Sequence, residues 1–300
     1  MVTFDRSDFT RIYSAMVLPC NADESINWDS LRRLVDRQIE DGVEGFYCCG
    51  SSGEGLLMTI EERKRFVEVV VDQAAGRVPV IAHIGTIRTA DVIELAKHAK
   101  ETGCVAISMI PPYYYKFSQS ELAGYYEDVI AAVPDMPVIL YNIPQFTGIE
   151  FGKANASRLL DNPNIIGIKH TSSNLYSMER MSDAYPEKVL INGFDEQLLG
   201  ALSMGAVATV STTANLFGPL FVAIRREFRK GNFEKALEYQ RALNYRVETL
   251  VSVGIFSGTK YACTLRGIDC GACRRPFDPL TEEQKETVRK LMELPYPEGV

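Results

Sequence analysis

The feature that most constrains this chain is an eightfold alternation of short, β-rich apolar runs with stretches of helical spacing. The runs are IYSAMVL from Ile12, VEGFYCC from Val43, VPVIAHI from Val78, CVAISMI from Cys104, MPVILY from Met136, IIGIKH from Ile165, KVLING from Lys188 and AVATVS from Ala206. Continuously apolar runs suit strands covered on both faces, as in a parallel sheet. Between them, residues such as Leu31, Leu34, Val35 and Ile39, or Ile93, Leu95, Ala96 and Ala99, recur at helical intervals. Eight strand-helix units are the number that closes a (β/α)8 TIM barrel, with an open doubly wound sheet as the alternative.

The chain has 300 residues, and such barrels reach about 250 residues as one unit. Beyond about Arg229 the alternation stops: GNFEKALEYQRALNYRVETLV and TEEQKETVRKLMEL are helical with no strand between them. The expected organisation is therefore a catalytic barrel over 1–229 with a helical extension over 230–300 packed on it. Helix starts are marked by Thr59 with Glu62, an S/T-x-x-E capping pattern, and by Gly218-Pro219.

A net charge of -7 argues against a nucleic-acid partner, which needs clustered cations. The opening MVTFDRSDF lacks the basic start and apolar stretch of a signal peptide, and no apolar run is long enough to span a bilayer. Seven cysteines, mostly within apolar stretches, read as reduced thiols of a cytoplasmic protein. The pair Cys270 and Cys273 lacks the second pair or nearby histidine that a structural zinc requires, so no metal is expected.

In a barrel of this kind catalytic groups gather at the carboxyl ends of the strands. Lys169 ends the sixth run, where period-two alternation places Gly167 and Lys169 on one face and Ile166 and Ile168 on the other. An enclosed lysine loses its proton more readily and attacks carbonyls; the alternative is a lysine that reaches water or pairs with an acid. Tyr141 ends the fifth run on the same rim, either as a proton carrier or as a core tyrosine with a satisfied hydroxyl. Gly50-Ser51-Ser52-Gly53-Glu54 offers backbone N–H groups and hydroxyls to a carboxylate, and Ser51 with Glu54 equally matches a capping box. Gly193-Phe194-Asp195-Glu196 and Ser211-Thr212-Thr213 present carboxylates and hydroxyls, which suit a polyol better than a phosphate, unless the acids simply begin a helix. His83, His98 and His170 show no metal-binding spacing and receive no role.

Taken in order, GSSGE at Gly50, IPPYYYKFS at Ile110, YNIP at Tyr141, GIKHTSSNLYSME at Gly167 and NGFDE at Asn192 resemble the pyruvate-dependent class I aldolases, the family of dihydrodipicolinate synthase and N-acetylneuraminate lyase. The resemblance spans the whole chain and implies a barrel with a C-terminal helical segment, assembled as a homotetramer. The synthase branch carries an arginine in YNxPxRTG for a second carboxylate, where this chain has Phe146. IAHIG around His83, KHTSSNLYSME from Lys169 and the Asp195-Glu196 pair look like the lyase branch; Ser52 in GSSGE and the Ser211–Asn215 stretch depart from it.

The resemblance implies cleavage of N-acetylneuraminate to pyruvate and N-acetylmannosamine through a covalent Schiff base on Lys169, with no separate cofactor. It implies that Tyr141, Ser51 and Tyr114 relay protons, Tyr114 entering from a neighbouring subunit. Ser51 and Ser52 would hold the substrate carboxylate. Thr171, Gly193, Asp195, Glu196 and Thr212 would hold the sugar-derived part, and Phe256 would line the site. The alternatives are dihydrodipicolinate synthesis, cleavage of a 2-keto-3-deoxy sugar acid, or a catalytically silent sugar-acid binding protein.

Overall fold

A computed structural model describes residues 4–300. Eight parallel strands form a closed barrel in chain order: β1 (Ile12–Ala15), β2 (Gly45–Cys48), β3 (Val80–His83), β4 (Ala106–Met109), β5 (Val138–Asn142), β6 (Ile165–His170), β7 (Val189–Asn192) and β8 (Ala208–Ser211), with β8 pairing back onto β1. Helices return each strand to the start of the next, so the chain is a (β/α)8 barrel and the open-sheet alternative falls. Every strand residue is buried, because one face packs inside the barrel and the other against the helices. Tyr13, Tyr47, Ile81, Ala106, Ile139, Val189, Ile191 and Val210 fill the interior. Ile12, Phe46, Val80, Ile107, Val138 and Leu190 belong to the layer under the helices. This two-sided burial is why the strands read as apolar runs without polar alternation.

One strand breaks the expected alternation. Val138 of β5 stands opposite Ile165, but the next residue, Ile139, stands opposite Gly167, so β6 holds one extra residue at Ile166. That bulge shifts the phase: Ile166 joins the barrel interior while Ile168 packs outward. The expectation that they share a face is therefore wrong below the bulge. Above it Lys169 pairs with Tyr141 and both stand on the interior side of the rim. Gly167 is required by close approach, since a Cβ there would lie 2.1 Å from the Val189 carbonyl oxygen.

Thr59 and Glu62 form a reciprocal capping box at the helix Ile60–Ala74, as the sequence predicts. The helix Ala214–Arg229 is two segments joined at non-helical backbone at Phe217, and Pro219 stands in the first turn of the second, as the sequence predicts. Gly218-Pro219 therefore opens that second segment, where a missing N–H is harmless. After it come helices Phe233–Val253, Ile255–Leu265 and Glu282–Met292. The middle one is not anticipated by the sequence reading. These helices are tied to the barrel by polar contacts: Gln240 accepts from Leu199 N (2.8 Å) and donates to the Asp195 carbonyl (3.1 Å). Among the described residues no helix is long and apolar enough to cross a membrane.

Candidate active site

A cavity of about 310 Å³ opens at the carboxyl ends of the strands. Ser51, Ser52, Tyr141, Lys169 and Thr171 line it, with Gly193, Asp195, Glu196, Thr212 and Phe256 on the remaining walls. Only Tyr114 of the predicted residues is absent from this lining; it lies 85% exposed on the loop after β4, with φ +76°. Its ring meets the Tyr115 ring edge-on, 5.0 Å between centroids.

Lys169 is buried at the cavity floor, its Nζ 3.7 Å from the Tyr141 ring centroid and 4.2 Å from that of Tyr47. Burial pulls its pKa below the ordinary lysine value, while Tyr141 and the Asp195 carboxylate partly oppose the fall. The reading of a lysine reaching water is excluded by this geometry. Burial likewise raises Asp195, whose Oδ2 accepts from Thr213 N (2.8 Å) and Thr213 Oγ1 (2.6 Å). Asp195 thus ties the loop after β7 to the loop after β8. Burial also raises Glu196. Thr171 Oγ1 is buried beside Gly193 with no hydrogen-bond partner among the described residues, and a Cβ on Gly193 would collide with it at 1.8 Å. That hydroxyl is available to a bound polar molecule.

On the opposite wall Ser51–Gly53 form a single 3-10 turn, and Ser52 Oγ lies 2.7 Å from Thr212 Oγ1. The capping-box reading of Ser51 with Glu54 fails. Glu54 adopts left-handed backbone (φ 53°) and turns its carboxylate inward, to Lys260 Nζ at 2.9 Å and Arg274 N at 2.7 Å. Above the site Phe146 is 61% exposed at the mouth, with Val247, Val251 and Ile255 beside it on the wall.

Sequence reasoning does not single out Tyr47 and gives His83 no role. The Tyr47 hydroxyl donates to Ser108 Oγ (3.0 Å), and the buried ring forms one side of the lysine's pocket. His83 Nδ1 lies 3.1 Å from the Cys49 carbonyl, an acceptor, which places the proton on Nδ1 and leaves Nε2 an acceptor with no partner among the described residues. Burial, then Arg63 and Lys169, hold His83 far below its ordinary pKa, so it stands neutral with its ring against Tyr141 (5.7 Å, 89°). The signal was there in part: Tyr47 and His83 lie near the carboxyl ends of the second and third apolar runs. His170 bonds Asn142 and the Asn174 carbonyl, a structural arrangement. All seven cysteines are free and buried, and among the described residues no three His, Cys, Asp or Glu side chains gather as metal ligands.

The model of the dihydrodipicolinate synthetase family matches residues 8–294. An N-acetylneuraminate lyase of Rhizobium meliloti (strain 1021) is 40% identical over 281 residues, covering 94% of this chain and 93% of that protein. Among solved structures, N-acetylneuraminate lyase from Fusobacterium nucleatum superposes with a TM-score of 0.90 at 34% identity, over 95% of this chain and 98% of the other. A dihydrodipicolinate synthase from Bacillus anthracis superposes with a TM-score of 0.92 at 29% identity, over 98% of this chain and all of the other. A barrel with a buried lysine at its rim, matched by the family model from near one end of the chain to near the other, leaves one assignment: the chain belongs to the dihydrodipicolinate synthetase family.

Proposed function

We propose that the chain is a class I aldolase, a carbon–carbon lyase that cleaves N-acetylneuraminate to pyruvate and N-acetylmannosamine. The observation that carries this reading is the Lys169 amine, buried beside Tyr141 between a hydroxyl-bearing turn and a wall of acids and hydroxyls. The turn suits a carboxylate and the opposite wall a polyol, and a sialic acid has one at each end. Phe146, apolar where the synthase branch has arginine, supports the lyase over the synthase. The relatives named N-acetylneuraminate lyase, at 32–40% identity, support the same choice.

In this mechanism the neutral Lys169 amine adds to the C2 ketone of the open-chain acid and loses water, giving an iminium. The C4 hydroxyl gives up its proton through Tyr141, the C3–C4 bond breaks, and its electrons pass into the iminium to form an enamine. The released aldehyde is the acylamino sugar. Protonation at C3 and hydrolysis then return pyruvate and the free lysine. The iminium is itself the electron sink, so the chemistry asks for no separate cofactor. Ser51 and Ser52 grip the carboxylate; Thr171, Gly193, Glu196 and Thr212 face the sugar end, with Asp195 holding the β7 and β8 loops together; Phe256 lines the wall.

Tyr114 completes the proton relay from a neighbouring copy, in a homotetramer. The buried free thiols and acidic balance support a cytoplasmic enzyme acting on a small molecule. Borohydride reduction with pyruvate should leave a stable adduct on Lys169, and the protein should release pyruvate from N-acetylneuraminate. A protein that gains no mass, or that condenses pyruvate with aspartate semialdehyde and leaves sialic acid intact, would refute the proposal.

A further inference from the structure

We infer that the buried pair Lys260–Glu54, together with Arg274, is the positioning device of the Ser51–Ser52 turn and so sets the grip on the substrate carboxylate. This rests on the reading above that the turn holds that carboxylate. Both side chains of the pair are entirely shielded from solvent. Lys260 Nζ donates to Glu54 Oε1 (2.9 Å) and to the Ala272 carbonyl (2.6 Å), and the other Glu54 oxygen accepts from Arg274 N (2.7 Å). The Arg274 guanidinium in turn clasps Glu62 (2.5 and 2.8 Å) and the Leu57 carbonyl (3.1 Å), just beyond the same turn.

Two features make this a device for the site and not merely a fastening of the fold. First, an ion pair removed from water is a poor route to stability, since an apolar pair of equal shape serves as well or better. What it delivers here is direction: it holds Glu54 in left-handed backbone, which a non-glycine residue avoids, next to Ser51–Gly53, whose Ser51 carbonyl accepts from Glu54 N (3.1 Å). Second, Lys260 lies one turn below Phe256 on the helix Ile255–Leu265, so one rigid element carries both the tie to the turn and part of the cavity wall. Releasing the tie frees Glu54 to leave the left-handed region and moves the hydroxyls and N–H groups of the turn, while Lys169 on β6 keeps its place.

The test is borohydride trapping by the full chain, comparing pyruvate with its methyl ester, which has the ketone and lacks the charge. Lys260→Met and the double variant Glu54→Gln/Lys260→Met are compared with the unmodified protein. Half-saturating pyruvate should rise about tenfold in both, as small displacements of binding groups do, while trapping of the ester stays within about twofold. If Lys260→Met alone fails to fold, the double variant, which buries no unpaired charge, decides. The inference is overturned if the double variant traps pyruvate at wild-type concentrations, if acid and ester trapping fall together, or if the double variant does not fold, which would make the pair a support of the barrel alone. Failure of the unmodified protein to trap pyruvate would overturn the functional reading instead.

Discussion

Only the neutral form of Lys169 attacks a ketone, so its environment sets the pH at which the reaction begins. Burial destabilises the ammonium and lowers the pKa; Tyr141 and the Asp195 carboxylate hold it up. The rate of pyruvate trapping should therefore rise with pH and level off at an inflection below the ordinary lysine value of 10.5. Asp195→Asn removes one of the groups that favour the ammonium, and the inflection should move to lower pH; a pH series of trapping rates that moves it upward would contradict the assignment. The linkage to stability has a definite sign. Between the lowered pKa and the ordinary one the unfolded chain binds more protons than the folded chain, so this lysine makes folding stability increase with pH across that window. Tyr141→Phe should leave trapping of pyruvate largely intact and lower the cleavage rate by about 10²–10⁴-fold, the usual span for a general acid-base group. The two acids separate in the same way. Both acids line the cavity, but the Asp195 carboxylate is engaged with Thr213, so Glu196→Gln should raise the KM for the sugar acid by about tenfold or more, the worth of a charged hydrogen bond of about 1.5–3 kcal/mol, with pyruvate trapping unchanged.

At the scale of elements, β6 is the strand on which the site depends, because its bulge determines that Lys169 meets Tyr141 across the β5 pairing. Gly167→Ala would drive a Cβ toward the Val189 carbonyl oxygen, and such overpacking typically costs about 1–3 kcal/mol. Denaturant unfolding should show that loss together with weaker pyruvate trapping; an unchanged midpoint would mean that β6 and β7 can separate at no cost. The bulge was not legible in the sequence, since Ile165, Ile166 and Ile168 are apolar in either phase and give no alternation to read. The barrel was legible for the same reason: strands shielded on both sides must be apolar throughout. Glu54 was misread as a cap because its partner Lys260 lies 206 positions away, beyond any local pattern. The helix Ile255–Leu265 was hidden because Gly254 (φ +93°) alone separates it from the preceding helix. His83 gained meaning only once β3 was placed between β2 and β4, bringing its ring against Tyr141. That Lys169, Tyr141, Ser51 and Glu196 share one cavity could be anticipated because strand ends and the loops after them are where a barrel exposes chemistry.

At the scale of the whole molecule, one proposed catalytic group stands outside the cavity it is proposed to serve. Tyr114 is 85% exposed and its neighbour Tyr115 is 63% exposed, on backbone whose left-handed φ a tyrosine adopts at a cost. A strained, outward-facing tyrosine pair makes sense if a second copy receives it, and a symmetric assembly would return the same contribution to every site. Subunit mixing tests this directly. Lys169→Met and Tyr114→Ala should each be nearly inactive alone. Refolded together at equal amounts, they should recover about a quarter of wild-type activity, because a site works only when a subunit with Lys169 happens to sit beside one with Tyr114. Sedimentation of the mixture should give an assembly several times the 33.5 kDa chain. If each subunit instead used its own Tyr114, mixing would restore nothing, since no chain would hold both groups, and the tyrosine's exposure would then need another explanation.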